Sequence, residues 1–192
     1  MVAISHQNVA KTFPSATSTG ARRFIGKTAV ITGASANVGR ALADLLAQEG
    51  ADIVVHYNSA RKQAQAEETA TAVRKHGRDA LVVQADLTKP AQATALFDAA
   101  IARFGKVDIL INTVGKIIRK PLAEFEEEDF DELFDVNAKA AFFLLKEASR
   151  NIADDGRILG FVTTMVAAFA PTYAGYAGSK APLEHFSKAL AK

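Results

Sequence analysis

The chain has no cysteine, few prolines (five) and only two methionines in 192 residues. The missing cysteine excludes disulfides and thiolate metal sites and leaves the redox compartment open. The four histidines, His6, His56, His76 and His185, are scattered without metal-ligand spacing. No apolar run reaches the roughly 18 residues of a membrane-spanning helix, so no membrane is expected. A charge excess is also missing. Lys and Arg number 23 against 21 Asp and Glu, a net +2, which gives no reason to expect nucleic acid or acidic lipid as a partner. Acidic residues are absent from the start of the chain, where Asp44 is the first. Residues 1–23 are polar, small and punctuated by Pro14 and Gly20. They are read as a flexible N-terminal extension. A transit peptide is the weaker alternative, because arginines are few and no long amphipathic face is present.

The chain as a whole is 49% apolar, and what remains, residues 24–192, is large enough for one domain with a sizeable core. Order is expected from Lys27. The run Thr28 to Thr32 suits a buried strand, and Arg40 to Glu49 a helix with Leu42, Leu45 and Leu46 on one side and Gly50 as its stop. Ala51 to Tyr57 reads as a strand, Ala60 to His76 as a polar helix, and Leu81 to Val83 as a strand leading into Asp86. Lys89 to Phe104 reads as a helix with Pro90 near its start, and Val107 to Ile111 as a strand. An acidic stretch, Glu124 to Glu132, opens a long helix that turns apolar at Phe142 to Leu145; acids suit first helical turns. Arg157 to Val162 reads as a fifth strand, and a helix runs from about Ala174 onward. Five alternations of strand and helix argue for a doubly wound parallel sheet of Rossmann-like type, three layers α/β/α. Ligands in such a sheet bind beyond the C-terminal strand ends, where the strand order reverses.

The turn Gly33-Ala34-Ser35-Ala36-Asn37-Val38-Gly39 lies on that edge. One glycine lets the backbone turn sharply, another lets helix and strand approach, and N–H groups at the helix start can cradle a pyrophosphate. The dinucleotide fingerprint has three glycines. Here Asn37 stands in the middle place, and asparagine is the side chain that best tolerates positive φ. The second strand ends His56-Tyr57-Asn58-Ser59-Ala60-Arg61-Lys62 without the acid that normally receives the NAD ribose. Hydroxyls, an amide and a guanidinium there suit a 2′-phosphate, so NADP(H) is favoured over NAD(H). Tyr176 and Lys180, four apart, share a helix face. An ammonium near a phenol favours the phenolate and makes the tyrosine a usable proton donor and acceptor.

In this order the motifs resemble those of the short-chain dehydrogenase/reductase family, from about Phe24 to Lys192. Thr32 to Gly39 is similar to T-G-x-x-x-G-x-G, with Asn37 for the middle glycine. Asn112-Thr113-Val114-Gly115 resembles N-N-A-G with two departures. Asn137 resembles the family's helix asparagine, Asp86 its adenine-contacting acid, and Tyr176 with Lys180 matches Y-x-x-x-K. The resemblance implies an oxidoreductase acting on a carbonyl or secondary alcohol. Tyr176 is the acid/base, Lys180 lowers its pKa and bonds the nicotinamide ribose, and Asn137 helps hold a relay water. A hydroxyl from Thr163 or Thr164, the latter the better local match, takes the place of the family's serine. Cofactor contacts are expected from Gly33, Ser35, Asn37, Val38, Gly39, Tyr57, Asn58, Ser59, Asp86, Leu87, Asn112 and Gly115, with Tyr176 and Lys180.

The pocket guesses Ile117, Ile118, Met165, Val166 and Phe169 hint at a non-polar carbonyl compound. Pairing into homodimers or homotetramers through the Asn137 and Tyr176 helices is expected by the same resemblance, and a cytoplasmic location by default. Family members usually continue for several more elements beyond the Tyr/Lys helix. Three readings follow: a fragment of a longer protein, which is favoured, a truncated product that folds poorly, or a short form that binds dinucleotide or a partner without turnover. Apolar surface at Leu183, Phe186 and Leu190 is expected to be exposed.

Overall fold

The structure, a computed structural model, describes residues 22–191. The expected extension therefore falls outside the described residues, apart from Arg22 and Arg23. Those two do not trail away. Arg23 pairs with Glu49 at 3.1 Å, the Phe24 N–H donates to the Glu49 carbonyl at 2.9 Å, and Phe24 packs on the core. The ordered chain thus begins ahead of Lys27.

The elements are β1 Thr28–Thr32, α1 Asn37–Gln48, β2 Asp52–Tyr57, α2 Gln63–Lys75, β3 Ala80–Gln84, α3 Pro90–Phe104, β4 Val107–Asn112, α4 Glu127–Phe134, α5 Ala140–Asn151, β5 Ile152–Gly160 and α6 Ala174–Leu190. The five strands form one parallel sheet in the order β3-β2-β1-β4-β5. The order reverses between β1 and β4, which places a crevice there.

Each face of the sheet is covered. Ala29, Ile31, Ile53 and Val55 pack under Ala43 and Ala47 of α1 and Ala66, Ala70 and Val73 of α2. Val30, Val54 and Leu110 pack on the other side under Leu96 and Phe97 of α3 and Leu144 and Ala148 of α5. Burial on both faces is why β1 and β2 read as continuous apolar runs rather than alternating ones. The three-layer α/β/α architecture is Rossmann-like, as the sequence led one to expect.

Four local expectations are corrected. Leu45 is 55% exposed, because Ala43 and Ala47 take the innermost line of α1 and leave Leu45 to solvent. The expected long helix is present as α4 and α5 run together, but it starts at Glu127 rather than Glu124 and is widened by a turn of π-helix over Asp135–Lys139. The fifth strand starts at Ile152 and ends at Gly160, not Arg157 to Val162. Its first half carries an irregularity opposite Val107 to Ile109, with Asp155 at φ 61°. Leu183 is fully buried against Ala141 and Leu145, and a Cβ on Gly160 would meet its side chain at 3.1 Å. Phe186 is half-covered and stands edge-on to Phe142 at 5.2 Å, whereas Leu190 is 37% exposed.

Candidate functional site

The crevice holds an open cavity of about 590 Å³. Gly33, Ser35, Asn37, Val38 and Gly39 line one side, Tyr57, Asn58 and Lys62 the next, and Thr113 to Lys116 the floor. Gly33 adopts φ 69° and Asn37 φ 49°, so asparagine does occupy the left-handed region where the fingerprint has glycine. A Cβ on Gly39 would lie 2.5 Å from the Gly33 carbonyl oxygen and 2.9 Å from Thr113 Oγ1. Only glycine lets α1 start this close to the end of β1. The Thr113 hydroxyl, at a position where the family has asparagine, donates to the Thr32 carbonyl at 2.6 Å and ties β4 to the foot of the turn. Asn112 is buried behind the cavity, its Oδ1 accepting from Thr32 Oγ1 at 2.8 Å and from the Val114 N–H at 3.2 Å. It supports the floor and does not line it.

The end of β2 turns on His56, which the sequence reading passed over. The Gly33 N–H donates to His56 Nδ1 at 3.1 Å, so the ring proton sits on Nε2 and is donated to the Ala85 carbonyl at 2.8 Å. One neutral ring thereby links the glycine turn, β2 and the turn after β3. Burial pushes its pKa down to about 4, against a smaller opposing effect of the Ala85 hydrogen bond. Beside it a recess of about 40 Å³ is lined by Asn58, Asp86, Leu87 and Val114. Asp86 accepts from the Thr88 N–H at 3.1 Å and from Thr88 Oγ1 at 2.7 Å, which fixes the recess rim. Ser59 precedes the short 3-10 turn Ala60–Lys62, makes no side-chain capping hydrogen bond and lies outside the cavity wall, and Lys62 rather than Arg61 reaches that wall.

Tyr176, Ser179 and Lys180 lie on α6, and Asn137 lies in the π turn. Widening the helix at that turn carries Asn137 inward, to 1% exposure. Its Oδ1 accepts from the Lys116 N–H at 2.8 Å, and its Nδ2 donates to the Lys116 carbonyl at 2.8 Å and to Ser179 Oγ at 2.9 Å. Ser179 in turn donates to the Tyr176 carbonyl at 2.9 Å. Ser179 is thus the bridge between Asn137 and the Tyr176 turn. It stood inside the Tyr/Lys motif, but only its partners reveal its part. Lys180 is 3% exposed and donates to the Val114 carbonyl at 3.4 Å; burial holds its ammonium below the usual lysine range. A Cβ on Gly115 would meet Lys180 Nζ at 3.3 Å and Asn137 Oδ1 at 3.4 Å. Gly115 is therefore the thin wall between the cavity and these two polar groups.

Next to Tyr176 is a second cavity, about 500 Å³, lined by Leu122, Met165, Ala168, Phe169, Pro171 and Tyr173 among others. Of the residues guessed for a substrate pocket, Met165 and the fully exposed Phe169 line it, and Ile117, Ile118 and Val166 do not. The Tyr173 and Tyr176 rings stand edge-on, 6.3 Å apart. Thr163 and Thr164 lie past the end of β5, Thr164 opening a 3-10 turn and Thr163 Oγ1 accepting from the Met165 N–H at 3.2 Å.

The sequence matches the family of short chain dehydrogenases over residues 27–192. The chain belongs to that family. This short chain dehydrogenase is 39% identical over 172 residues to a hydroxynaphthalene reductase-like protein of Metarhizium brunneum, covering 88% of this chain and 63% of that protein. It is 49% identical to a solved Burkholderia cenocepacia structure described as a dehydrogenase with bound NADP, with TM-score 0.86, covering 90% of this chain and 66% of that one. A second Burkholderia cenocepacia structure, a short chain dehydrogenase in complex with NADP, is 30% identical with TM-score 0.84, covering 88% of this chain and 69% of that one. The chain thus spans 63% of the length of its Metarhizium relative. Enzymes of this family use NAD or NADP. The left-handed Asn37, the close approach of α1 to the end of β1 that Gly39 permits, and the open cavity fit such a dinucleotide.

Proposed function

We propose that this chain carries the dinucleotide-binding and proton-transfer part of an NADP(H)-dependent oxidoreductase acting on a carbonyl or a secondary alcohol. The observation that carries the reading is Gly115, one face of which lines the dinucleotide cavity while Lys180 Nζ and Asn137 Oδ1 crowd the place of its missing side chain. The nicotinamide, when bound, supplies or takes the hydride. N–H groups at the start of α1 hold the pyrophosphate, with Ser35, Asn37 and Val38 forming the rim. Tyr57, Asn58 and Lys62 would receive the 2′-phosphate end, with Ser59 next to them in the chain but outside the wall, and Asp86 with Leu87 the base. Tyr176 gives a proton to the carbonyl oxygen in reduction and takes it from the alcohol in oxidation. Lys180, buried one helical turn further along α6, favours the charged phenolate and bonds the cofactor ribose. Asn137 holds the Lys116 backbone and, through Ser179, the turn that bears Tyr176.

A threonine hydroxyl, from Thr163 or Thr164, positions the substrate oxygen; comparing T163V with T164V separates the two. The apolar cavity beside Tyr173 takes the substrate body. Pairing of two chains through α5 and α6 and a cytoplasmic location belong to the same reading, and no described helix is long and apolar enough to cross a membrane. The test is Tyr176→Phe, assayed for turnover of ketones and quinones and for NADPH affinity. The expected result is loss of turnover with NADPH binding nearly intact. Unchanged turnover would sink the assignment, and binding without turnover in the parent chain would favour a non-catalytic dinucleotide module.

A further inference from the structure

The connection from β4 to α4 carries three cations within five residues, Lys116, Arg119 and Lys120. Two of them are neutralised by α4. Lys116 pairs with Glu132, and Lys120 pairs with Asp129. Arg119 is different. Among the described residues it has no carboxylate within ion-pair distance, and it is exposed. Its guanidinium instead lies over the Tyr173 ring, 5.0 Å from the ring centre. Contact with a ring face fixes where the head group sits but leaves its in-plane N–H donors available.

Tyr173 joins this cation to the reacting centre. It lines the apolar cavity of about 500 Å³, and its ring stands 6.3 Å from that of Tyr176. Steps of 6.3 and 5.0 Å, ring to ring and ring to guanidinium, therefore separate the proton-transfer tyrosine from an unpaired positive charge. The two flanking lysines already tether the segment to α4, so Arg119 is not needed as a tether. A guanidinium with free donors, held on the ring of a residue that lines an otherwise apolar cavity, matches a planar anion best, because its fork bonds a carboxylate through two parallel hydrogen bonds. The spacing suits a substrate in which one aromatic ring separates the reacting carbonyl from the anionic group.

We propose that Arg119 is a specificity-determining residue that selects substrates with an apolar body and an anionic group, such as a carboxylate, set about one aromatic ring from the reacting carbonyl. This rests on the reading that Tyr176 works on a carbonyl in the adjoining cavity. The test is calorimetric binding of 4-formylbenzoate and of its uncharged methyl ester to the chain, with and without NADPH, in the parent and in Arg119→Gln. In low salt the parent binds the carboxylate about fivefold more tightly than the ester, the size expected of one partly exposed charge pair. Raising the salt to about 0.5 M shrinks that preference, since exposed pairs are screened. Arg119→Gln removes the preference and leaves the affinity for the ester unchanged, and Arg119→Lys restores part of it. An equal affinity for both ligands in the parent, a preference that survives in Arg119→Gln, or no saturable binding of either ligand overturns the proposal. Turnover that survives Tyr176→Phe while the carboxylate preference persists would instead remove the catalytic reading and leave the recognition by Arg119 standing.

Discussion

His56 offers a prediction that can be worked through quantitatively. The ring is 1% exposed, accepts from the Gly33 N–H and donates to the Ala85 carbonyl, and its pKa is pushed down to about 4 by burial. In the unfolded chain a histidine titrates near 6.5. Above pH 6.5 the ring is neutral in both states and contributes no pH dependence. Between pH 6.5 and 4 the unfolded chain takes up a proton that the folded chain refuses, so stability falls as pH falls. Each pH unit of that window is worth about 1.4 kcal/mol, and the whole window about 3 kcal/mol. Other groups titrate there too, so the comparison is with His56→Gln, whose amide can donate toward Ala85 and accept near Gly33 without titrating. Urea unfolding of both chains, followed by circular dichroism because the sequence has no tryptophan, gives the two stabilities at pH 7, 5.5 and 4. The variant is less stable at pH 7, but the gap closes or inverts by about 3 kcal/mol on going to pH 4. NADPH affinity of the folded parent is not lowered by this ring across that window and falls only as pH drops through about 4, where the folded ring itself takes up a proton and loses its hydrogen bond from Gly33. A gap that stays constant across pH would refute the assignment of a neutral, bridging His56.

Three other outcomes are expected. Gly39→Ala places a methyl 2.5 Å from the Gly33 carbonyl oxygen, so it costs roughly 1–3 kcal/mol of stability and weakens NADPH binding, measured by unfolding and by titration. Asn37→Gly relieves the φ of 49° and leaves NADPH affinity within about twofold, whereas Asn37→Val, a β-branched residue in the left-handed region, costs about 1–2 kcal/mol. Asp108 is buried; burial raises its pKa, but hydrogen bonds from Lys27 and Lys106 and from the Thr28 N–H outweigh that and hold it below the usual range. Its contribution is therefore present above the ordinary carboxylate range and lost as pH falls through the lowered folded value. At pH 7, Asp108→Asn costs about 1–3 kcal/mol in urea unfolding, and an effect under half a kcal/mol would contradict this.

Local chemistry made much of the fold legible. The apolar run Thr28–Thr32, the glycine turn and Pro90 at the start of α3 act within a few residues of themselves, and the structure places them where they read. The left-handed Asn37 belongs to the same class. Features set by distant partners did not read. The stretch Ile152-Ala153-Asp154-Asp155-Gly156 is charged and does not read as strand, yet Ile152 pairs with Val107 and the rest forms the irregular start of β5 ahead of the Arg157–Ile109 pair. Leu183 looked exposed because the partner that buries it, Gly160 and its strand, lies more than twenty residues upstream. His56 depends on Gly33 and Ala85, 23 and 29 residues away, and nothing in a strand-end histidine announces them. At the site, Tyr176, Lys180 and Asn137 were singled out by motif, and the structure brings Lys180 and Asn137 together behind Gly115. Ser179, the link between two of them, was legible only once its hydrogen bonds were in place.

The central claim is that the crevice at the reversal of strand order binds a phosphorylated dinucleotide. It is tested most directly by titrating the 192-residue chain with NADPH and, separately, with NADH, following reduced-nicotinamide fluorescence. The account predicts saturable binding of both, with NADPH the tighter and its advantage reduced by Lys62→Ala. Tighter binding of NADH, or no saturable binding of either to folded protein, would contradict it.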